Sequence, residues 1–178
     1  MTFVYWDDVD PTTELADGNI LFEVDMGVTF RELIYDLAGG IKDGKKLKAV
    51  LTGGAAGTFI DESVLDTPTG YDSLKEKGAS LGSGAIIVLS EDNSVNTMLE
   101  SILEFFKHES CGKCVPCRVG TERLLRMIED MNNGNEGNFT LDEMVTEAQY
   151  ISKTSLCPLG QSPIMPLLSL QRYFKDEF

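Results

Sequence analysis

Several things are scarce in this sequence, and each shortage excludes something. There is one histidine in 178 residues, and there are only four cysteines, all of them after residue 110. With His108 alone, no Ser/His/Asp or Cys/His catalytic set can be assembled. No apolar run approaches the ~20 residues needed to span a bilayer, so membrane insertion is not expected. The start, Met1 to Asp8, has neither a basic region nor an apolar core and does not read as a secretory signal. The expected location is therefore cytoplasmic, with a place at the edge of a membrane complex still compatible. Residues 1–30 contain no Lys or Arg but seven acids: Asp7, Asp8, Asp10, Glu14, Asp17, Glu23 and Asp25. Over the whole chain 15 Lys+Arg face 29 Asp+Glu, a net charge of −14. Such a balance argues against nucleic acid or an anionic membrane as the main partner, because phosphate binding needs clustered cations.

What is present is ordinary for a soluble globular protein: 42% hydrophobic and 25% charged residues. A chain of this size buries roughly two thirds of its unfolded surface and needs no disulfides to fold. After an acidic lead-in, residues 20–90 read as a small α/β unit. Ile20 to Asp25 is a short strand, and Leu47–Leu51 and Ala85–Leu89 are two more. Thr29 caps a helix with apolar positions Phe30, Leu33, Ile34 and Leu37, closed by Gly39-Gly40. Glu91 to Ser94 is a polar linker, and helices follow. Val95, Met98, Leu99, Ile102, Leu103 and Phe106 form one apolar stripe with Ser94 as N-cap. Leu124, Leu125, Ile128 and Met131 mark a second helix ending at Asn132-Asn133-Gly134. Thr140-Leu141-Asp142-Glu143 is a capping box opening a third. Ser162-Pro163 opens a fourth, with Ile164, Leu167, Leu168 and Tyr173 for its buried side. Consecutive amphipathic helices with short loops imply a small bundle.

The chemistry is concentrated in Cys111-Gly112-Lys113-Cys114-Val115-Pro116-Cys117, with Cys157-Pro158 following 40 positions later. Three thiolates at C-x2-C-x2-C spacing can wrap one corner of a compact cluster, and a remote fourth completes the ligation of a [4Fe–4S] centre. Gly112 permits a tight turn, and Pro116 and Pro158 stiffen the two ligand-bearing segments. From Lys107 to Arg126 there are five bases (Lys107, Lys113, Arg118, Arg123, Arg126) and two acids (Glu109, Glu122), locally +3 in an acidic chain. Cations near an anionic cluster raise its reduction potential. The second helix is expected to start just after Cys117, with its positive end toward the cluster. Zinc remains the alternative, although four-cysteine zinc sites usually draw on two separated pairs. Disulfides would need an oxidising compartment, and a thioredoxin-type Cys-x-x-Cys leaves Cys117 and Cys157 without a role.

Other motifs read as structural. Gly53-Gly54-Ala55-Ala56-Gly57 lacks the Gly-Lys-Ser/Thr of a P-loop and is expected to be a turn between strands. Gly82-Ser83-Gly84 precedes a strand instead of following one, so it is not a dinucleotide fingerprint. His108 reads as a helix-end residue partly in solvent.

The stretches Glu109-Ser110-Cys111-Gly112-Lys113-Cys114-Val115-Pro116-Cys117-Arg118 and Ser155-Leu156-Cys157-Pro158-Leu159-Gly160 closely resemble the family of NADH-binding flavoprotein subunits of respiratory complex I. That family is shared with NAD-linked hydrogenases and formate dehydrogenases, and the likeness is to its C-terminal half. Phe22-Glu23-Val24, Leu47-Lys48-Ala49-Val50 with Gly53-Gly54, and Leu81-Gly82-Ser83-Gly84 resemble its SLBB (soluble-ligand-binding β-grasp) domain. The resemblance implies an α+β fold: an acidic lead-in over 1–17, a small β-grasp (SLBB-like) domain over 18–90, and a small helical bundle over 94–178 carrying the iron–sulfur cluster. It implies that Cys111, Cys114, Cys117 and Cys157 ligate one [4Fe–4S] cluster. In the family this cluster takes electrons from FMN and passes them to further clusters in partner subunits.

The glycine-rich FMN- and NADH-binding region of the family has no counterpart here, and Val119 stands where an acidic residue is expected. FMN and NAD are therefore expected on a partner or missing domain, and this chain alone has no flavin or NADH site. Met1–Asp17 does not resemble the family's lead-in. That favours a free-standing module beside a separate flavoprotein over a shortened form. The expected role is an electron-transfer module within an NAD(P)H-linked oxidoreductase complex. Its partners would be the flavoprotein and other iron–sulfur subunits such as a thioredoxin-like 2Fe–2S protein. A ligand- or partner-binding scaffold with a structural four-cysteine metal site is the alternative. The ligand assignment predicts that Cys114→Ser loses the cluster or degrades it to a three-iron form, distinguishable by EPR.

Overall fold

The computed structural model describes residues 2–3, 22–134 and 139–178. The architecture is α+β and separates into two compact units, residues 1–94 and 95–178. Apart from Thr2 and Phe3, the expected acidic lead-in lies outside the described residues, as do Ile20 and Leu21 of the first expected strand.

In the first unit β1 (Thr2–Phe3) pairs antiparallel with β2 (Phe22–Glu23), the part of the Ile20–Asp25 segment that is strand. A second sheet has the order β4-β3-β5, built from β3 (Leu47–Thr52), β4 (Thr58–Ile60) and β5 (Ile86–Ser90). Both pairings are antiparallel, with Val50 opposite Ile60 on one side and Val88 on the other. The centre of the sheet is covered on both faces, since Ala49, Val50 and Leu51 are all buried. This is why residues 49–51 of β3 and 86–89 of β5 read as continuous apolar runs and not as alternation. The glycine-rich segment after β3 is indeed the turn into β4. A Cβ on Gly82 would stand 2.7 Å from the Gly53 Cα, so these two glycine loops meet backbone to backbone. The short helix α1 (Tyr71–Glu76) buries Leu74.

The helix after Thr29 forms, but with a wider winding. Residues Glu32–Leu37 are a π-helix, with Ala38 N–H donating to Leu33 O at 3.0 Å. Its start is a reciprocal cap: Glu32 N–H donates to Thr29 Oγ1 at 3.2 Å, and Thr29 N–H to Glu32 Oε2 at 2.8 Å. Phe30, Leu33 and Ile34 are buried, but Leu37 is 46% exposed. An i→i+5 winding takes more residues per turn, so a position set by α-helical spacing leaves the apolar face.

The second unit consists of α2 (Val95–Glu109), α3 (Val115–Asn132), α4 (Leu141–Thr154), α5 (Pro158–Gln161) and α6 (Ile164–Tyr173). Helix α2 packs on α3, α3 on α4, and α4 on α6. All six stripe residues of α2 are buried. Each fully buried side chain of this size contributes about 1.5–3 kcal/mol before entropy is counted. In α3, Leu124, Leu125 and Ile128 are buried and Met131 half-buried, and Gly134 follows the helix end. The Thr140 capping box is complete, with Glu143 N–H donating to Thr140 Oγ1 and Thr140 N–H to Glu143 Oε2. In α6 the expected buried side needs correction. Ile164 and Leu167 are buried, but Leu168 is 41% exposed and Tyr173 only half-buried. The stripe runs through Ile164, Leu167, Leu170 and Phe174, and Leu168 falls one residue past it.

The α3–α4 contact is close because α3 carries glycine where α4 presents a branched side chain. A Cβ on Gly120 would lie 2.4 Å from Ile151 Cγ1. Gly120→Ala should therefore cost about 1–3 kcal/mol. Ile151→Ala in the same chain should recover part of that loss, read as non-additivity in urea denaturation of the four variants.

Candidate metal centre

The three-cysteine motif is the junction between α2 and α3. Gly112 sits at φ 74°, the left-handed region where a side chain is costly, and this turns the chain back toward α3. The turn is held from both sides. Gly112 N–H donates to Ser110 Oγ at 3.4 Å, and Arg118 Nη1 donates to Gly112 O at 2.5 Å. Helix α3 begins at Val115, one turn earlier than its sequence suggests, so Cys114 is the N-cap and Cys117 lies within the first turn. Pro116 fits there because first-turn N–H groups have no intrahelical partner. The positive helix end thus faces Cys114, and Cys117 is carried inward, 4% exposed. Thr121 Oγ1 donates to Cys117 O at 2.8 Å and secures that turn.

The fourth cysteine arrives on a second, separately built turn. Helix α4 ends at Thr154 with Ser155 as its C-cap, Cys157 is the N-cap of α5, and Pro158 is its first residue. Gln161 Nε2 donates to Ser155 O at 3.0 Å and clasps the turn closed. This turn lies directly against α3. A Cβ on Gly160 would stand 2.9 Å from Cys117 Cβ and 2.4 Å from Ser155 Oγ. Only glycine lets the Cys157 turn come so close to the Cys117 position.

The thiols sense one another electrostatically. Burial raises Cys117 above the usual thiol range; the Ser110 hydroxyl opposes this, and the nearness of Cys114, Cys157 and Cys111 adds to it. Cys114 is held low, first by the Leu156 backbone N–H from the Cys157 turn, then by the Cys117 N–H and the Ser155 hydroxyl. All four are free thiols, with Cys111 and Cys157 exposed and Cys114 half-buried. Among the described residues no three His, Cys or acidic side chains surround a single ion position. A four-iron cluster does not require that arrangement, because each thiolate takes a different iron. The donor set fits such a group: four sulfurs from two turns, backbone N–H groups aimed at sulfur, and one orphaned hydroxyl. Ser155 Oγ is buried and completes no hydrogen bond, although it reaches toward Cys114.

The cationic count changes in three dimensions. Arg126 pairs with Glu122 at 2.6 Å and Arg123 with Glu147 at 3.6 Å, so both are largely neutralised. Arg118 is the base tied to the cysteine loop itself, and Lys107 and Lys113 are exposed. His108 points to solvent, 3.1 Å from Glu109, and takes no part in the thiol group. Val119 is 53% exposed, and nothing in the structure explains the departure there. Sequence reasoning found the cysteines and Gly112 but assigned no role to Ser110, Ser155 or Gly160. The hint available was a small residue beside each buried or turn-borne cysteine.

Comparison with known proteins agrees with this geometry. The family model described as the NADH-ubiquinone oxidoreductase-F iron-sulfur binding region matches residues 97–178, a span holding all four cysteines. The NADP-reducing hydrogenase subunit HndC of Solidesulfovibrio fructosivorans is 38% identical over 158 residues, 89% of this chain and 32% of that protein. An F subunit of NADH-quinone oxidoreductase in Rhizobium meliloti (strain 1021) is 34% identical over 158 residues, 89% of this chain and 38% of that one. The chain thus spans about a third of the length of these curated relatives. The NAD+-reducing [NiFe]-hydrogenase solved in its H2-reduced state superposes with a TM-score of 0.79 at 23% identity, over 99% of this chain and 28% of that one, and so shares the fold. Among the described residues no helix is long and apolar enough to cross a membrane.

If the Gly160 contact sets the position of the fourth thiol, Gly160→Ala should push the Cys157 turn away from α3. We expect iron uptake to fall severalfold while helical circular dichroism is retained. Full uptake would show that the turn can shift without harm.

Proposed function

We propose that the chain, whose residues 97–178 match the NADH-ubiquinone oxidoreductase-F iron-sulfur binding region, is an electron-transfer module with one [4Fe–4S] cluster held by Cys111, Cys114, Cys117 and Cys157. The observation that supports this reading is the seating of the Cys157 turn on α3 beside Cys117, which brings together cysteines 40 positions apart in sequence. Bound there, the cluster would supply one-electron redox chemistry. The protein's own groups do the rest. Gly112 and Arg118 shape the loop bearing Cys111 and Cys114, α3 directs its N-terminal N–H groups at the site, and Gln161 clasps the remote turn.

In this reading the module relays electrons from an NAD(P)H/FMN flavoprotein part to further iron–sulfur clusters of a redox complex. FMN and NAD sit on that partner or missing part, and a thioredoxin-like 2Fe–2S protein is one candidate partner. The relatives' names, an NADP-reducing hydrogenase subunit and NADH-quinone oxidoreductase subunits, support that setting. Residues 18–90 are read as an SLBB-like domain and 94–178 as the cluster-binding bundle, after a lead-in over 1–17. A cytoplasmic place, peripheral to a membrane complex, goes with this role.

Anaerobic reconstitution is expected to give a brown protein with about four iron and four sulfide per chain. Its spectrum should bleach with dithionite, and Cys157→Ser should abolish the full complement. A colourless protein holding stoichiometric zinc, with no response to dithionite, would overturn the proposal.

A further inference from the structure

Two serine hydroxyls stand at the thiol group, one on each of its two turns. Ser110 Oγ lies 3.2 Å from Cys117 Sγ. The oxygen of Ser110 also accepts the Gly112 N–H, which leaves it one proton and one lone pair, so the state of the sulfur decides the direction of the bond. A cysteine bound to iron is a thiolate and can only accept. Ser110 therefore donates to the sulfur of Cys117.

Ser155 reaches a similar position by another route. Its backbone is fully occupied, with N–H donating to Ile151 O at 2.9 Å and O accepting from Gln161 Nε2 at 3.0 Å. Its hydroxyl is buried and unpartnered, in a residue 7% exposed. A buried hydroxyl with no partner is costly, and native proteins rarely keep one without reason. It stands beside Gly160, where an added Cβ would lie 2.4 Å from Ser155 Oγ and 2.9 Å from Cys117 Cβ, so the hydroxyl is buried against the thiol group. Both serines fit a site whose sulfurs carry more negative charge than free thiols do.

We propose that Ser110 is a positioning hydrogen-bond donor to the ligand sulfur of Cys117, that the buried Ser155 hydroxyl is a second donor to the ligand sulfurs from the other turn, and that they set the reduction potential of the bound cluster. This rests on the proposed ligation by the four cysteines. One-electron reduction, by a reduced flavin in the relay or by dithionite in the laboratory, adds one negative charge to the cluster and its thiolates. A donated hydrogen bond stabilises that charge without transferring its proton, so it favours the reduced state and raises the potential.

The test is a redox titration of the reconstituted 178-residue chain followed by EPR, with iron and sulfide measured on every sample. Ser110→Ala should lower the ratio of reduced to oxidised cluster at a fixed ambient potential by about tenfold, which for a one-electron couple is about 59 mV. Iron and sulfide should remain at the wild-type level. Ser110→Thr, which restores the hydroxyl, should return the potential toward wild type. For the buried position Ser155→Ala should act in the same direction. Ser155→Cys, with similar volume and a weaker donor, should fall between and guards against a packing effect of the alanine. Full cluster content with an unchanged potential in Ser110→Ala, or no recovery with threonine, overturns the role of Ser110. The same result in both Ser155 variants overturns that of Ser155. Failure of the wild-type chain to take up iron and sulfide overturns the ligation itself, and this inference with it.

Discussion

The structure around the thiols depends on one close approach, the Cys157 turn lying against the first turn of α3 at Gly160. Bringing Cys117 and Cys157, 40 positions apart, to one place requires two backbone segments to come within a few ångströms, and a single added methyl group there would stand 2.4 Å from Ser155 Oγ. The bundle supplies this proximity. Gly120 lets α4 sit tightly on α3, and α4 delivers the chain to Ser155 and then to Cys157. Packing in the helical core and the placement of the fourth sulfur are therefore one constraint.

Local electrostatics follow from the same geometry. An N-capping Cys114 and a first-turn Cys117 place two sulfurs at the positive end of α3, the one partly and the other largely shielded from water. Burial alone would disfavour thiolates there. Backbone N–H groups and hydroxyls offset that penalty, and the Leu156 N–H lowering Cys114 comes from the remote turn. The remote turn thus helps to stabilise charge on Cys114. The apparent excess of bases near the motif matters less, since Arg123 and Arg126 are satisfied by Glu147 and Glu122 on the bundle surface. Exposed pairs of this kind contribute about 0–1 kcal/mol.

Much of the architecture was legible because it rests on periodicity and capping, which are local. The α2 stripe and the Thr140–Glu143 box were readable residue by residue, and so were the β3 and β5 runs. Errors arose where winding or packing geometry intervened. Leu37 was assigned to a buried face by a 3.6-residue period that the π-helix does not keep. Leu168 was assigned to the core of α6, but contact with α4 follows a narrower stripe. Helix α3 was started after Cys117, although a proline at the second helical position permits a start at Val115.

The sequence by itself determined the donor set: four cysteines in a three-plus-one spacing, with a glycine that turns the loop and prolines that open the helices. Thiolate number and spacing are properties of the chain, and they point to an iron–sulfur chemistry before any fold is known. Tertiary structure alone decided which sulfur is buried, which N–H groups face which sulfur, and which hydroxyls stand beside them. Those depend on contacts between residues 110–118 and 155–161, and no local pattern encodes the distance between two segments so far apart in the chain. Ser110 and Ser155 look like ordinary polar residues in the sequence. They become part of the site because folding sets the Ser110 hydroxyl 3.2 Å from Cys117 Sγ and buries the Ser155 hydroxyl beside the Cys157 turn.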